Sequence, residues 1–383
     1  MAGLDKVTAA ALGIVGAGAA GAIYIVTRKK PTPPVPSKRS FPVPISVDVR
    51  LSEDIFTVSQ RFKMLKDIGV DNIRVIINWK AVEPTEGAYD YAFLSRIKDV
   101  CNMIIEQDMS PSLLLRFAMA PPSWVPSDAY YVGETGETRG HVSLWYPKLY
   151  DWAEGFYTTV CYNLSGINFK SVTPTIAGGG GGEAVYPVTP NLFWMYDIYA
   201  RQEYYKLLNS DVPLPKTVTG DKWRQTIDWY LSKKNQAVNW LIATTKYLWG
   251  DKVVLMFTDR LITSDDYQNA VATGNGNRAV REGGTLDYMI ELANREGVQL
   301  DYTNVENTYA DWVINYNIDK GNRLLWLEES QYFTNPKIIS NKIIAHPEAN
   351  LGFLWYDQNK LFIGTRPTSV YYALAQAINS IKA

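Results

Sequence analysis

The sequence predicts an α/β fold: a (β/α)8 barrel of the triose-phosphate isomerase (TIM) type, preceded by an N-terminal transmembrane helix and a Pro-rich linker. Three observations carry this expectation. Eight apolar runs rich in Val, Ile and Leu recur between residues 43 and 356. Stretches with the apolar spacing of amphipathic helices lie between them. A barrel of this kind needs ~250 residues, so 383 residues hold one barrel with long connections and a tether.

The runs are VPISVDV (43–49), NIRVIINW (72–79), PSLLLRF (111–117) and FKSVTPTI (169–176), then KVVLMF (252–257), VQLDYTN (298–304), RLLWLE (323–328) and NLGFLWY (350–356). Near-continuous apolar character is what parallel strands covered on both faces require. Between them, YAFLSRIKDVCNMIIEQ (91–107) and TLDYMIELANREG (285–297) read as helices, the second ending in a Gly suited to a C-cap. Helices near 191–209 and 221–249 make the connection after the fourth strand unusually long. A doubly wound open sheet would alternate similarly, but no Gly-x-Gly-x-x-Gly turn follows the first strand, so the barrel is preferred.

Residues 1–30 read as a membrane anchor, 31–40 as a linker and 41–383 as the barrel. Between Lys6 and Arg28, 21 residues (7–27) carry no charge. At 1.5 Å per residue they span roughly 30 Å, the thickness of a bilayer core. Ala9, Gly13, Ala17 and Gly21 share one helix face, where small residues allow close approach and self-association in the membrane. Arg28, Lys29 and Lys30 form a basic stop, and Pro31, Pro33, Pro34 and Pro36 favour an extended spacer. A cleaved signal peptide, with AGAAGA as its small-residue site, is the competing reading and makes the protein secreted. The basic cluster after the helix favours a cytoplasmic barrel, so a single-pass anchor of either sidedness is carried forward.

With 38 Lys and Arg against 39 Asp and Glu, the chain lacks the basic excess of a nucleic-acid binder. Its 12 Trp and 25 Tyr supply rings with an apolar face and a polar edge, suited to sugars or to a large core. Cys101 and Cys161 fall on consecutive barrel helices that could be neighbours, so a disulfide is open, with two buried free thiols the preferred reading. Two His and no Cys-x-x-Cys give no metal-ligand cluster, and no cofactor is expected.

Barrel enzymes place their chemistry at the C-terminal ends of strands. Strand four runs into AGGGGGEAVYP, setting Glu183 just beyond five glycines. Strand seven ends LLWLEES, with Glu328 and Glu329 at its mouth; strand alternation sends one into the barrel and the other toward the helices. Two carboxyl groups facing each other across a mouth are what glycosidic cleavage needs. One protonates the leaving oxygen, and the other activates water or attacks the sugar. Trp79, Trp124, Tyr186 and Trp355 are candidate sugar platforms or core residues. Arg116, ending strand three, could bond hydroxyls, orient a carboxylate or form a structural ion pair, and Asp48, ending strand one, could accept from hydroxyls or serve as a cap or solvated charge.

The motifs also carry a family resemblance. GVDNIRVIINWKAVEPTEGAYDYAFLSRI (69–97) resembles the second strand and following segment of the family-14 β-amylases and family-42 β-galactosidases. APPSWVPSDAYYVGETGETRG (120–140) resembles the family-42 segment after strand three. GGGEAVYP (180–187) and YDIYARQEYYKLL (196–208) resemble the β-amylase sequence around its catalytic acid and the helix after it. LLWLEES (324–330) resembles the segment with the second catalytic glutamate in both families. The resemblance implies a glycoside hydrolase with Glu183 as acid and Glu328 as base or nucleophile, Glu329 being the alternative. RFAMAPPSW has no His where the β-amylases place one, and Gly182 stands where family 42 has Asn before its acid, so the resemblance carries a reaction class rather than a sugar. The alternative is an inactive barrel that binds glycans as a membrane-anchored recognition or structural protein.

Overall fold

The computed structural model describes residues 43–50, 55–118, 121–176, 186–187, 189–257, 261–284, 286–321, 324–328, 334–355 and 358–382. Eight strands carry the fold: β1 (Ile45–Arg50), β2 (Asn72–Asn78), β3 (Ser110–Arg116), β4 (Val172–Pro174), β5 (Val254–Phe257), β6 (Gln299–Tyr302), β7 (Leu325–Glu328) and β8 (Leu351–Trp355). Each coincides, within three residues at its start and two at its end, with an expected run. All neighbouring pairs are parallel, in the order β4-β3-β2-β1-β8-β7-β6-β5. One parallel bridge, Val172 to Val253, closes the ring, and the Val172 N–H donates to the Lys252 carbonyl at 2.7 Å. The seam is narrow because β4 is three residues long and ends in Pro174, which has no N–H to give to a ladder.

Helices fill the connections. Tyr91–Glu106 starts at Asp90, whose carboxylate accepts from the Phe93 N–H at 2.8 Å. Leu286–Glu296 ends before Gly297, whose φ of 69° is the left-handed conformation a C-cap takes. The long excursion after β4 contains Ile198–Leu208 and the 29-residue Asp221–Trp249. Cys101 is buried, Cys161 is half-buried against the Leu248 carbonyl, and both are free thiols.

Strand alternation divides the interior in two. Outward residues such as Val47, Val75, Leu115, Leu327 and Phe353 merge with helix residues such as Leu94, Phe156, Val313 and Leu374 into one large core. Inward apolar residues form two small groups: Ile76, Leu114 and Met256, and Val254, Leu324, Trp326 and Leu354. Trp326 fits inside because Gly352 faces it; a Cβ there would lie 2.6 Å from its ring. Toward the N-terminal end the lumen is polar. Ser46 donates to Asn72 at 2.7 Å, Asn72 to Ser112 at 2.8 Å, and Ser171 to Ser112 at 2.9 Å.

Among the described residues no helix is long and apolar enough to cross a membrane. The expected anchor at 7–27, with its Ala9, Gly13, Ala17 and Gly21 face, and the linker at 31–40 lie outside the described residues.

Candidate functional site

Glu328 is the last residue of β7 and shares the inward face with Trp326, while Leu325 and Leu327 point to the helices. It meets three other charged side chains inside the barrel. Asp48 on β1 lies directly opposite Arg74 on β2 in register. The Arg74 fork donates from Nε to Asp48 Oδ1 at 2.6 Å and from Nη2 to Asp48 Oδ2 at 2.8 Å. Its Nη1 donates to Asp301 Oδ2 on β6 at 2.5 Å, and Nη2 also reaches Glu328 Oε2 at 2.9 Å. None of the four is more than 2% exposed.

One cation therefore serves three carboxyl groups away from water. Desolvating charges costs several kcal/mol per ion, and only good geometry returns it. The surplus negative charge is relieved by protons. Burial pushes Asp48 up to about 7, against the pull of Arg74. Burial also holds Glu328 well above the usual carboxyl range; Arg74 opposes this, and the charge and hydrogen bond of Asp301 reinforce it. Asp301 is raised by burial as well, with Arg74 and Glu328 working against the rise. Burial disfavours the Arg74 charge, but its three carboxyl neighbours outweigh that, so Arg74 stays cationic.

The expected site residues divide. Glu183 and Glu329 lie outside the described residues. Arg116 ends β3, is 5% exposed, and its charge adds to that of Arg74 in lowering Asp48. Asp48 needs correcting: it sits inside β1 rather than at its end, and both its oxygens are taken by Arg74. Three of the four aromatic platforms are core residues, because full burial leaves no ring face for a sugar. Trp79 packs on Phe117 at 4.2 Å, Tyr186 stacks on Tyr230 at 4.1 Å and donates to its carbonyl, and Trp355 points outward into the strand–helix layer. Trp124 alone of the four keeps a partly exposed surface, edge-on to Trp79 at 5.3 Å.

The EPTEG stretch is a structural turn. Glu83 accepts from the Trp79 indole and the Gly87 N–H at 2.8 Å each, its carbonyl accepts from the Trp124 indole at 2.9 Å, and Gly87 has a φ of 72°. The residues that sequence reasoning missed are Arg74 and Asp301. The available signal was a single charge inside each of two apolar runs, NIRVIINW and VQLDYTN. A cleft of about 550 Å³ between Tyr196, Arg201, Tyr205 and Asp211 lies on the surface of the helix after β4, apart from this cluster.

The family model for glycoside hydrolase family 42, described as beta-galactosidase, matches residues 53–144, a segment containing β2 and β3. The catalytic domain of β-amylase from Paenibacillus polymyxa superposes with a TM-score of 0.68 at 15% identity, over 88% of this chain and 98% of that one. The β-galactosidase of the psychrophilic Marinomonas ef1 gives 0.57 at 11% identity, over 88% of this chain and 59% of that one. The β-galactosidase of the Antarctic haloarchaeon Halorubrum lacusprofundi gives 0.56 at 11% identity, over 88% and 58%. No curated protein matches the sequence. The chain thus resembles the (β/α)8 barrels of the glycoside hydrolases, and it spans less than two thirds of the two β-galactosidases.

Proposed function

We propose that this chain is a glycoside hydrolase cleaving O-glycosidic bonds of a polysaccharide or surface glycan, with Glu183 as acid and Glu328 as base or nucleophile. The observation that carries the reading is the place of Glu328. It closes β7 on the inward face, at the end of the strand where barrel chemistry is found, and is oriented by an arginine. The family-42 match over β2 and β3, and the three barrel superpositions, support the same reaction class.

The chemistry needs one carboxyl group to protonate the leaving oxygen and a second, ionised, to activate water or attack the sugar. Glu328 resists ionisation because it is buried beside Asp301. Its contact with Arg74 at 2.9 Å stabilises the carboxylate once the proton has gone. Attachment to a membrane through residues 7–27, with self-association through Ala9, Gly13, Ala17 and Gly21, would hold this activity at a surface.

One observation favours the second reading, a glycan-binding barrel without turnover. Glu328 is 1% exposed, and its neighbours Asp48, Arg74 and Asp301 bond to one another as a structural cluster would. Hydrolysis of a panel of oligosaccharides by the full chain separates the two. Under the hydrolase reading the unmutated protein turns over at least one glycan, and Glu183→Gln and Glu328→Gln each lower kcat by 10³-fold or more, an order-of-magnitude expectation for removing a catalytic carboxyl, while binding persists. Binding without turnover by the unmutated protein would establish the second reading.

A further inference from the structure

We infer that Asp301 is a positioning residue that keeps a single proton on Glu328, the two side chains sharing it as a hydrogen-bonded acid–carboxylate pair. The inference rests on reading Glu328 as the catalytic carboxyl only for its effect on turnover; the shared proton stands on geometry.

Three features require it. Asp48, Asp301 and Glu328 converge on the one Arg74 guanidinium at 2.5–2.9 Å, all essentially without exposure. A buried group of three carboxylates and one cation cannot keep every negative charge, because like charges a few ångströms apart in a dry site drive one of them to hold a proton. The proton is not placed on Asp48 first, since both Asp48 oxygens accept from Arg74. On the other side of the guanidinium, Asp301 Oδ2 accepts from Nη1, but the buried Asp301 Oδ1 has no donor. An acceptor in that position costs about 1–3 kcal/mol unless something donates to it. Glu328, on the adjacent strand β7 and likewise inward, is placed to do so with a carboxylic O–H. Each oxygen of the pair then has a use: Glu328 Oε2 accepts from Arg74, its other oxygen carries the proton, and Asp301 Oδ1 receives it.

The groups facing the pair are Asp48 from β1 and Arg74 from β2, with Arg116 from β3 acting on Asp48. The neighbouring inward positions of β5, Val254 and Met256, and of β8, Leu354, are apolar and add no charge. Removing the Asp301 charge therefore leaves Arg74 free to favour ionised Glu328. Asp301 sets how readily the base or nucleophile becomes available.

The test is infrared difference titration of the full chain, reading the protonated-carboxyl band in the wild type, Asp301→Asn, Glu328→Gln and Asp48→Asn. Asp48→Asn removes the other carboxyl of the cluster that burial pushes up to about 7. The expected result is a band that persists at pH 7 in the wild type and Asp48→Asn, is lost in Glu328→Gln, and titrates at least tenfold more acidic in proton concentration in Asp301→Asn. A band that survives Glu328→Gln, or that titrates alike with and without Asp301, overturns the inference. If Asp301→Asn does not fold, Glu328→Gln decides, because its amide can donate to Asp301 Oδ1 in place of the proton. That variant must fold and lack the band. Where turnover is measurable, the acid limb of kcat/KM in Asp301→Asn moves to lower pH by the same factor. The infrared result without turnover in any variant would keep the shared proton and remove the hydrolase reading.

Discussion

Replacing Arg74 with Met tests how the barrel tolerates its charges, since Met fills similar space and removes the guanidinium that the three carboxyl groups share. Folding at pH 7 then requires Asp48 and Asp301 to be protonated as well as Glu328. Keeping a proton on an ordinary carboxyl costs 1.36 kcal/mol for each pH unit above its pKa of about 4, or roughly 4 kcal/mol at pH 7. In the wild type Asp48, raised to about 7, already carries part of its proton at that pH. The added cost is then on the order of 5 kcal/mol, in line with the 3–5 kcal/mol typical of a broken buried pair. At pH 4 the protons are nearly free and the loss should shrink to roughly 1–2 kcal/mol, mainly lost hydrogen bonds. Urea unfolding of the full chain, followed by the fluorescence of its 12 Trp at pH 4 and pH 7, measures both values. A loss of equal size at the two pH values, or none at pH 7, would refute the charge argument.

Three further outcomes follow from the same structure. Because the folded state holds Asp48 above its ordinary value, the folded protein binds more protons than the unfolded between pH about 4 and 7, so stability falls as pH rises through that window. Asp48→Asn should flatten that slope in a series of Tm measurements, and an unchanged slope would contradict the burial of Asp48. Trp355→Ala should cost about 3–5 kcal/mol of stability, as large core truncations do, while glycan binding per folded molecule stays constant. A selective loss of binding would return Trp355 to the site. Gly352→Ala should destabilise by about 1–3 kcal/mol, because its Cβ meets the Trp326 ring at 2.6 Å. A thermal melt unchanged from the wild type would show that Trp326 can move aside.

The order and number of barrel strands were legible in the sequence because a strand buried on both faces is rich in apolar residues, as KVVLMF and NLGFLWY are, with FKSVTPTI and VQLDYTN the more polar exceptions. The place of Glu328 at the inward end of a strand was legible for the complementary reason: a carboxylate ending LLWLE interrupts an apolar run at its C-terminal end. Glu183 was read in the same way, and its position lies outside the described residues. The aromatic residues were not legible. A Trp at a strand end looks the same whether it faces a ligand or the helices, and only the alternation along β8 sends Trp355 outward. Nor could the sequence distinguish Asp48, Arg74 and Asp301 from isolated strand charges, since they are separated by 26 and 227 residues. Composition and periodicity thus determined the barrel, because they act along the chain. Which charges share one guanidinium, and hence which carboxyl group must hold a proton, was decided only when closure of the ring brought distant strands face to face in a space without water.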